Sequence, residues 1–303
     1  MFKPNDLIVI SGGTGWIGQS LVEELIESEY CTTEQIILIS SKNENIKISN
    51  EIIRTNTWEN LDFESQVQCY FDLAFQTQDK LAVLGEAKYV KENEQIIEKS
   101  VNFIKIYKPE SIFLASSGAV YGEDLSSTPK PISTYGRLKL MQELRISNTA
   151  AEENINLIIG RLFNLSGRYI NKFQTFAIAQ MINSAMNQGF IKVLANHQVF
   201  RRYSDINQLI RLILKLLNSK TNVVFDSGGP LIELRELASE IKKIVNPSTK
   251  LEYNKIDEQI PADEYYSRSN KYENLLNEHL REAPIKMSDQ ILNTFQYMKN
   301  INS

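Results

Sequence analysis

The sequence predicts an α/β fold: a doubly wound parallel sheet followed by a smaller mixed α/β lobe at the C-terminal end. Three observations carry that expectation. Short apolar runs alternate with longer amphipathic stretches through the first half, the pattern of consecutive βαβ units. A glycine-rich turn joins the first apolar run directly to a helical pattern. Beyond Leu165 the strict alternation stops, with no repeat, low-complexity run or long linker after it.

Leu7-Ile8-Val9-Ile10 reads as the first strand, apolar on both faces and therefore buried on both. Gly18 to Glu29 has helical spacing, with Leu21, Val22, Leu25 and Ile26 on one side. Ile36 to Ile39 is a second strand and Cys69 to Ala74 a later one. Tyr89 to Tyr107 makes a long helix with Ile96, Ile97, Val101 and Ile104 inward, and Pro109 follows its end. Ser111 to Ala115 is the next strand, Tyr135 to Glu153 a helix, and Asn156 to Arg161 the strand after it. Further on, helices are expected at Phe173 to Gln188, Ile206 to Asn218 and Leu234 to Val245, with a short strand at Val223 to Phe225.

Composition narrows the chemistry. The 303 residues are 42% hydrophobic and 23% charged, an ordinary globular balance. A net charge of -4 gives no general electrostatic drive toward nucleic acid. Cys31 and Cys69 lie far apart without a CxxC pair and are expected as reduced thiols. His197 and His279 are too few and too separated for a metal cluster, and a Ser-His-Asp hydrolase is hard to build from them. Met1 to Asp6 lacks a signal pattern, and no apolar run approaches the roughly 20 residues of a membrane span. The expected location is the cytoplasm.

The turn after the first strand is Ser11-Gly12-Gly13-Thr14-Gly15-Trp16-Ile17-Gly18, with glycines spaced G-x-x-G-x-x-G. Glycine allows the tight turn, the close approach of a pyrophosphate and the packing of helix on strand. The helix amino terminus then offers N–H groups and a positive dipole end to phosphates. In this strand-turn-helix setting the motif predicts a Rossmann-type dinucleotide site built from Gly12, Thr14, Gly15, Trp16, Ile17 and Gly18. Residues 1–165 are then the dinucleotide-binding domain, with 204–227 returning to it, and 166–303 the smaller substrate-binding lobe. The end of the second strand, Ile39-Ser40-Ser41-Lys42-Asn43, has no carboxylate before Glu44 to hold a ribose 2′-hydroxyl. Ser40, Ser41 and Lys42 suit a 2′-phosphate, so NADP(H) is favoured and NAD(H) is the alternative.

The central chemical signal is Tyr135 and Lys139, spaced i, i+4 on one helix face. An ammonium beside a phenol favours the phenolate and lowers its pKa from about 10. Such a phenol can protonate a carbonyl being reduced or deprotonate an alcohol being oxidised. Upstream, Ala115-Ser116-Ser117-Gly118-Ala119-Val120-Tyr121-Gly122 ends a strand, and Ser117 can bond the same substrate oxygen.

These residues resemble the extended short-chain dehydrogenase/reductase family, also called NAD-dependent epimerase/dehydratases. The resemblance covers most of the chain: GGTGWIG, FDLAF after a strand, Asn93 early in a long helix, SSGAVYG, YGRLK, RLFNLSG from Arg161 and RRYSDI from Arg201. It implies that Ser117, Tyr135 and Lys139 are catalytic. It also implies that Leu73 and Ala74 line the dinucleotide and that Asn93 supports the lysine through water. Members hold a nucleotide-diphosphate sugar in the smaller lobe. By that resemblance Ser117, Gly118 and Tyr135 face the sugar, Asn164 touches the diphosphate, and Arg201 pairs with a phosphate. Arg202 replaces the usual acid beside Arg201, and Arg268 lies near another phosphate-binding position.

Departures narrow the reaction. The family's sugar 4,6-dehydratases carry an Asp-Glu pair where this chain has Gly118 and Ala119. Members that epimerise carbons beside a ketone add a cysteine at the first of these places and a histidine after the asparagine stretch; this chain has Gly118 and no histidine from Ser166 to Phe173. The segment from Ser117 to Tyr135 is also several residues shorter than in many relatives. Plain hydride transfer survives, and the leading expectation is an NADPH-dependent reductase of a nucleotide-linked 4-keto-6-deoxy sugar for surface polysaccharide. The runner-up is an epimerase of the UDP-hexose 4-epimerase kind with retained NAD. A reading of another class is a non-catalytic dinucleotide sensor on the same fold. No metal, membrane or nucleic-acid partner is expected. A homodimer through the helices Tyr89 to Tyr107 and Tyr135 to Glu153 is expected by analogy with the family.

Overall fold

The computed structural model describes residues 6–122 and 132–301. The N-terminal stretch read for a signal and the shortened Ser117 to Tyr135 segment therefore lie partly outside the described residues. The described chain divides into two compact units, one of residues 6–122, 132–161 and 210–225, the other of 162–209 and 226–301.

The elements run in order β1 (Leu7–Ser11), α1 (Trp16–Glu27), β2 (Ile36–Ile39), β3 (Asn45–Ile48), β4 (Glu51–Asn56), β5 (Val67–Asp72), α2 (Asp79–Leu84), α3 (Glu86–Tyr107), β6 (Ser111–Ser117), α4 (Thr134–Glu152) and β7 (Asn156–Leu162). They continue as β8 (Asn164–Ser166), α5 (Ala177–Asn187), β9 (Phe190–Val193), β10 (Val199–Asp205), α6 (Ile206–Ser219) and β11 (Val223–Asp226). The last are β12 (Leu231–Glu233), α7 (Leu234–Val245), β13 (Lys250–Tyr253), β14 (Asp263–Tyr265), α8 (Lys271–Leu280) and α9 (Met287–Ile301).

The first unit is built on an eight-stranded sheet in the order β11-β7-β6-β5-β1-β2-β4-β3. β1 pairs parallel with β2 and β5, β5 with β6 and β2 with β4, while β3 pairs antiparallel with β4 at the outer edge. This is the doubly wound Rossmann-like sheet that the alternating runs predict. The sequence pattern misses the β3–β4 hairpin because it lies at the sheet edge, with one face in water: Glu51, Ile52 and Arg54 are exposed while Ile53 and Thr55 are buried. Against the sheet, α3 buries Ile97, Val101, Phe103 and Ile104, and α4 buries Ile146 and Ala150. Tyr70, Phe103, Tyr107 and Phe63 stack successively in that layer, with centroids 4.4–4.9 Å apart. α3 ends at Lys108 in the left-handed conformation, followed by the expected proline.

The second unit carries β8, β10, β12 and β14 in one sheet and β9 with β13 in another. Its strands are three to seven residues long, too short for alternation to stand out. The chain changes sheets at Phe163, because β7 ends at Leu162 and β8 pairs parallel with β10 through Asn164↔Tyr203. Relative to the division expected from the sequence, residues 162–165, 204–209 and 226–227 lie in the second unit. α5 begins at Ala177, four residues after the Phe173 expected from the apolar pattern. Among the described residues no helix is long and apolar enough to cross a membrane. Both cysteines are free thiols, Cys69 buried in β5.

Candidate active site

The glycine turn follows β1 with Gly12 at φ +70. A β-carbon there would sit 2.9 Å from the Leu73 carbonyl carbon and the Ala74 nitrogen, so Gly12 is what lets the turn lie against the end of β5. Gly18 is equally constrained, since its β-carbon would meet Gly13 Cα at 2.6 Å. The Leu73 and Ala74 N–H groups both donate to Ser11 Oγ, at 3.2 and 3.3 Å. Gly15 caps α1 in extended conformation and makes no side-chain cap bond. Gln19 steadies the turn by donating to the Thr14 carbonyl at 2.8 Å. The Gly12 N–H donates to the Ile39 carbonyl at 2.9 Å and the Gly15 N–H to the Gly12 carbonyl at 3.0 Å, which close the turn; a pyrophosphate would fit at the amino-terminal end of α1. The half-buried Ile17 lines a small apolar cavity together with Leu21, Phe71, Leu73 and Phe113.

At the end of β2, the Ser40 hydroxyl is committed to its own turn. It donates to the Lys42 carbonyl at 2.6 Å and accepts from the Lys42 N–H at 3.1 Å. Thr55 on β4 donates to the same carbonyl at 2.7 Å. Ser41 and Lys42 are exposed.

Ser117 ends β6 and caps the short 3-10 turn Gly118–Tyr121, its hydroxyl accepting from the Ala119 N–H at 3.2 Å. Ser133 caps α4 by accepting from the Gly136 N–H at 3.1 Å, which starts the helix so that Tyr135 lies in its first turn. A β-carbon at Gly136 would lie 2.2 Å from the Ala119 carbonyl oxygen. The glycine after the tyrosine is thus what lets α4 press against the turn that Ser117 caps. A second clamp joins the same parts: Glu143 accepts from Ser116 Oγ at 2.5 Å and takes Arg161 bidentately at 3.0 and 2.7 Å. Arg161 also donates to Tyr121 OH at 2.7 Å and stacks over its ring.

Lys139 is buried in α4 and donates to the Ala115 carbonyl at 2.8 Å and to Gln142 Oε1 at 3.0 Å. Its Nζ lies 3.9 Å from the centroid of the Phe75 ring, and the Tyr135 ring meets that ring edge-on at 5.8 Å. Phe75 is therefore the common neighbour of phenol and ammonium. Burial pushes the Lys139 ammonium down to about 8, while the carboxylates of Asp72 and Glu143 oppose the fall. Asp72, fully buried, is pushed above the usual carboxylate range by the same burial, against the pull of Lys139 and of hydrogen bonds from Ser11, Ser100 and Gln142.

Asn93 is buried in α3, and its side chain bonds both the loop that carries Phe75 and its own helix. Its Oδ1 accepts from the Gln76 N–H at 2.8 Å and its Nδ2 donates to the Tyr89 carbonyl at 3.2 Å. Tyr89 OH donates to the Gln76 carbonyl at 2.8 Å.

The expected diphosphate residues lie in the second unit. Asn164 donates to the Arg202 and Tyr265 carbonyls at 3.3 and 3.4 Å. Arg201 holds Asp263 with two donors at 3.2 and 2.7 Å. Arg202 donates to Glu273 at 2.9 Å, and the exposed Arg268 to Glu264 at 2.6 Å. Each of the three arginines is already on a carboxylate.

Sequence reasoning missed Asp72, Phe75, Gln142 and the Ser116–Glu143–Arg161 clamp. The signals were faint: a carboxylate closing the apolar run of β5, and polar residues three and four positions after Lys139 on a helix face.

The sequence pattern of the NAD dependent epimerase/dehydratase family matches residues 8–226. The chain belongs to that family. Among curated relatives of this family member, UDP-glucuronic acid decarboxylase 3 of Arabidopsis thaliana is 25% identical over 284 residues, covering 86% of this chain and 80% of the relative. A putative UDP-glucose 4-epimerase of Methanocaldococcus jannaschii is 24% identical over 252 residues, covering 78% and 81%. The fold matches that of the UDP-glucose 4-epimerase of Thermotoga maritima, solved with UDP-glucose, at a TM-score of 0.75 and 21% identity over 98% of this chain and 100% of that one. The UDP-N-acetylglucosamine 4-epimerase of Methanobrevibacter ruminantium, solved with UDP-N-acetylmuramic acid, gives 0.77 and 18% over 99% and 100%. A UDP-glucuronic acid 4-epimerase of Bacillus cereus in complex with NAD gives 0.73 and 18% over 97% and 96%.

Proposed function

We propose that this family member is a nicotinamide-dependent enzyme acting at a carbinol or ketone carbon of a nucleotide-diphosphate sugar, working as an NAD-dependent epimerase. The observation that carries the proposal is the buried Lys139 ammonium, which shares the Phe75 ring with Tyr135 and bonds the strand that ends in Ser117. Tyr135 as phenolate takes the proton of the sugar hydroxyl, and Lys139 stabilises the negative oxygen that makes it a base. The Ser117 hydroxyl donates to the same sugar oxygen as charge develops there. NAD, which the glycine turn from Gly12 to Gly18 would hold, would supply hydride transfer at the carbinol carbon. Tyr135 then gives its proton back to the oxygen, so the cycle leaves cofactor and protein unchanged. Gly118 and Ala119 offer no side-chain acid or base beyond Ser117, which fits a reaction confined to one C–H and one O–H. Asn164 and Arg201 are the proposed holders of the diphosphate, with Arg201 exchanging Asp263 for a phosphate oxygen. Relatives with decarboxylase and epimerase names, and structural neighbours holding UDP-sugars and NAD, support the substrate and cofactor class.

A second reading is favoured by the end of β2. Ser41 and Lys42 are exposed with no carboxylate beside them before Glu44, which suits a 2′-phosphate and hence an NADPH-dependent reductase of a 4-keto-6-deoxy sugar. The commitment of the Ser40 hydroxyl to its own turn weakens that reading. Incubating the protein with UDP-glucose, UDP-N-acetylglucosamine or UDP-glucuronic acid and NAD, with products followed by proton NMR, tests the first reading. The expected result is a 4-epimer without net cofactor turnover. Consumption of NADPH in proportion to a 4-keto substrate, with no epimer formed, would replace it by the second.

A further inference from the structure

Behind Lys139 lies a closed set of polar side chains that the reaction as described does not use. Ser11 on β1, Tyr70 and Asp72 on β5, Ser100 on α3 and Gln142 on α4 are all fully buried. Gln142 joins the two charged members: its Oε1 accepts from Lys139 Nζ at 3.0 Å and its Nε2 donates to Asp72 Oδ2 at 3.2 Å. The other carboxylate oxygen, Oδ1, accepts from Ser11 Oγ and Ser100 Oγ, each at 3.1 Å. Tyr70 OH closes the ring with Ser11 Oγ at 3.1 Å and Ser100 Oγ at 3.0 Å.

We infer that Asp72 is a positioning residue for this site, anchoring the Lys139 ammonium through the side-chain amide of Gln142. The inference rests on Lys139 being the cation that serves Tyr135. Three donors converge on Asp72, which favours its ionised form against the cost of burial. Each of the three hydroxyls has one proton, and the arrangement directs two of them at the carboxylate. Apolar side chains of similar volume often replace buried charged groups without loss of stability, so packing alone does not call for the group. One amide between ammonium and carboxylate also avoids a direct pair, which would cancel the charge that Tyr135 needs. The remaining groups facing Lys139 are the Ala115 carbonyl, the Phe75 ring and Glu143, and Glu143 is already committed to Ser116 and Arg161. Ser11 extends the set to the cofactor turn, since it precedes Gly12 and accepts from Leu73 and Ala74.

The test is a side-chain NMR titration of lysine Nζ in the unliganded protein, with the Lys139 signal assigned through Lys139→Arg. Asp72→Asn is expected to lower the Lys139 midpoint by about 1 unit or more, a tenfold loss of the charged form above that midpoint. Gln142→Met is expected to move it in the same direction, and serves alone if Asp72→Asn does not fold. An unchanged or raised midpoint in either variant overturns the inference. The titration needs no turnover: if Tyr135→Phe kept full activity the proposed reaction would fail, whereas an unmoved lysine defeats only the role of Asp72. In an active enzyme the alkaline limb of the kcat profile is expected to move down with the midpoint.

Discussion

Lys139 in the first unit and Arg201 in the second are both held by specific hydrogen bonds, yet their settings differ in kind. Lys139 is 4% exposed, and the oxygens that touch it belong to a backbone carbonyl and an amide. Arg201 sits directly on the carboxylate of Asp263, and Arg268 on that of Glu264. A cation on a carboxylate has its field largely cancelled, while one held by neutral acceptors in a low-dielectric core keeps it for its neighbours. The first arrangement suits a group that polarises a phenol throughout a reaction. The second suits groups that exchange one anion for another when a ligand arrives.

The largest expected effect tests the first setting. Tyr135→Phe and Lys139→Met are each expected to lower kcat by about 10²–10⁴-fold, with NAD affinity measured alongside to show that the glycine turn is intact. The pH dependence has a definite sign. Above about 8, Lys139 loses its proton, so turnover falls on the alkaline side. For the fold the sign is reversed, because between about 8 and the ordinary 10.5 the unfolded chain binds the proton that the native lysine has lost. Wild type is therefore expected to gain stability relative to Lys139→Met as pH rises through that window, and urea unfolding at several pH values would reveal the opposite trend if burial did not depress this lysine. Next in size is Arg161→Met, which leaves Glu143 buried without its cation. It is expected to cost about 3 kcal/mol in the same unfolding assay, far more than an exposed pair such as Lys99 with Glu59.

What could be read from the sequence follows the same division. Strands β1, β2, β5 and β6 were legible because they are largely buried on both faces and read as continuous apolar runs, and the glycine turn because Gly12 and Gly18 tolerate no β-carbon. Ser117, Tyr135 and Lys139 stood out by residue type and spacing. Phe75 and Asp72 did not, because their roles come from the folding of β5 beside α4, 60 and more residues away in sequence, as the Gln142 to Asp72 bond shows. In the second unit, strands as short as β8, β12 and β14 leave no period to detect. The carboxylate partners of its arginines were hidden for a similar reason: Asp263 meets Arg201 only through the parallel pairing of β14 with β10.

The smallest expected effects sharpen the second setting. If Asp263 competes with a phosphate for Arg201, Asp263→Asn should tighten UDP binding, by at most about fivefold, because partly exposed ion pairs are worth no more than about 1 kcal/mol. Isothermal titration with UDP resolves a change of that size. Arg268 pairs at the surface, with its side chain 68% exposed. Arg268→Ala is therefore expected to leave both the melting temperature and UDP affinity where they are, unless the exposed guanidinium turns away from Glu264 toward a ligand. A marked loss of UDP affinity in Arg268→Ala, with Asp263→Asn silent, would transfer the proposed phosphate-binding role from Arg201 to Arg268. It would also show that exposure of an arginine, more than the directness of its ion pair, decides which one is free to exchange its anion.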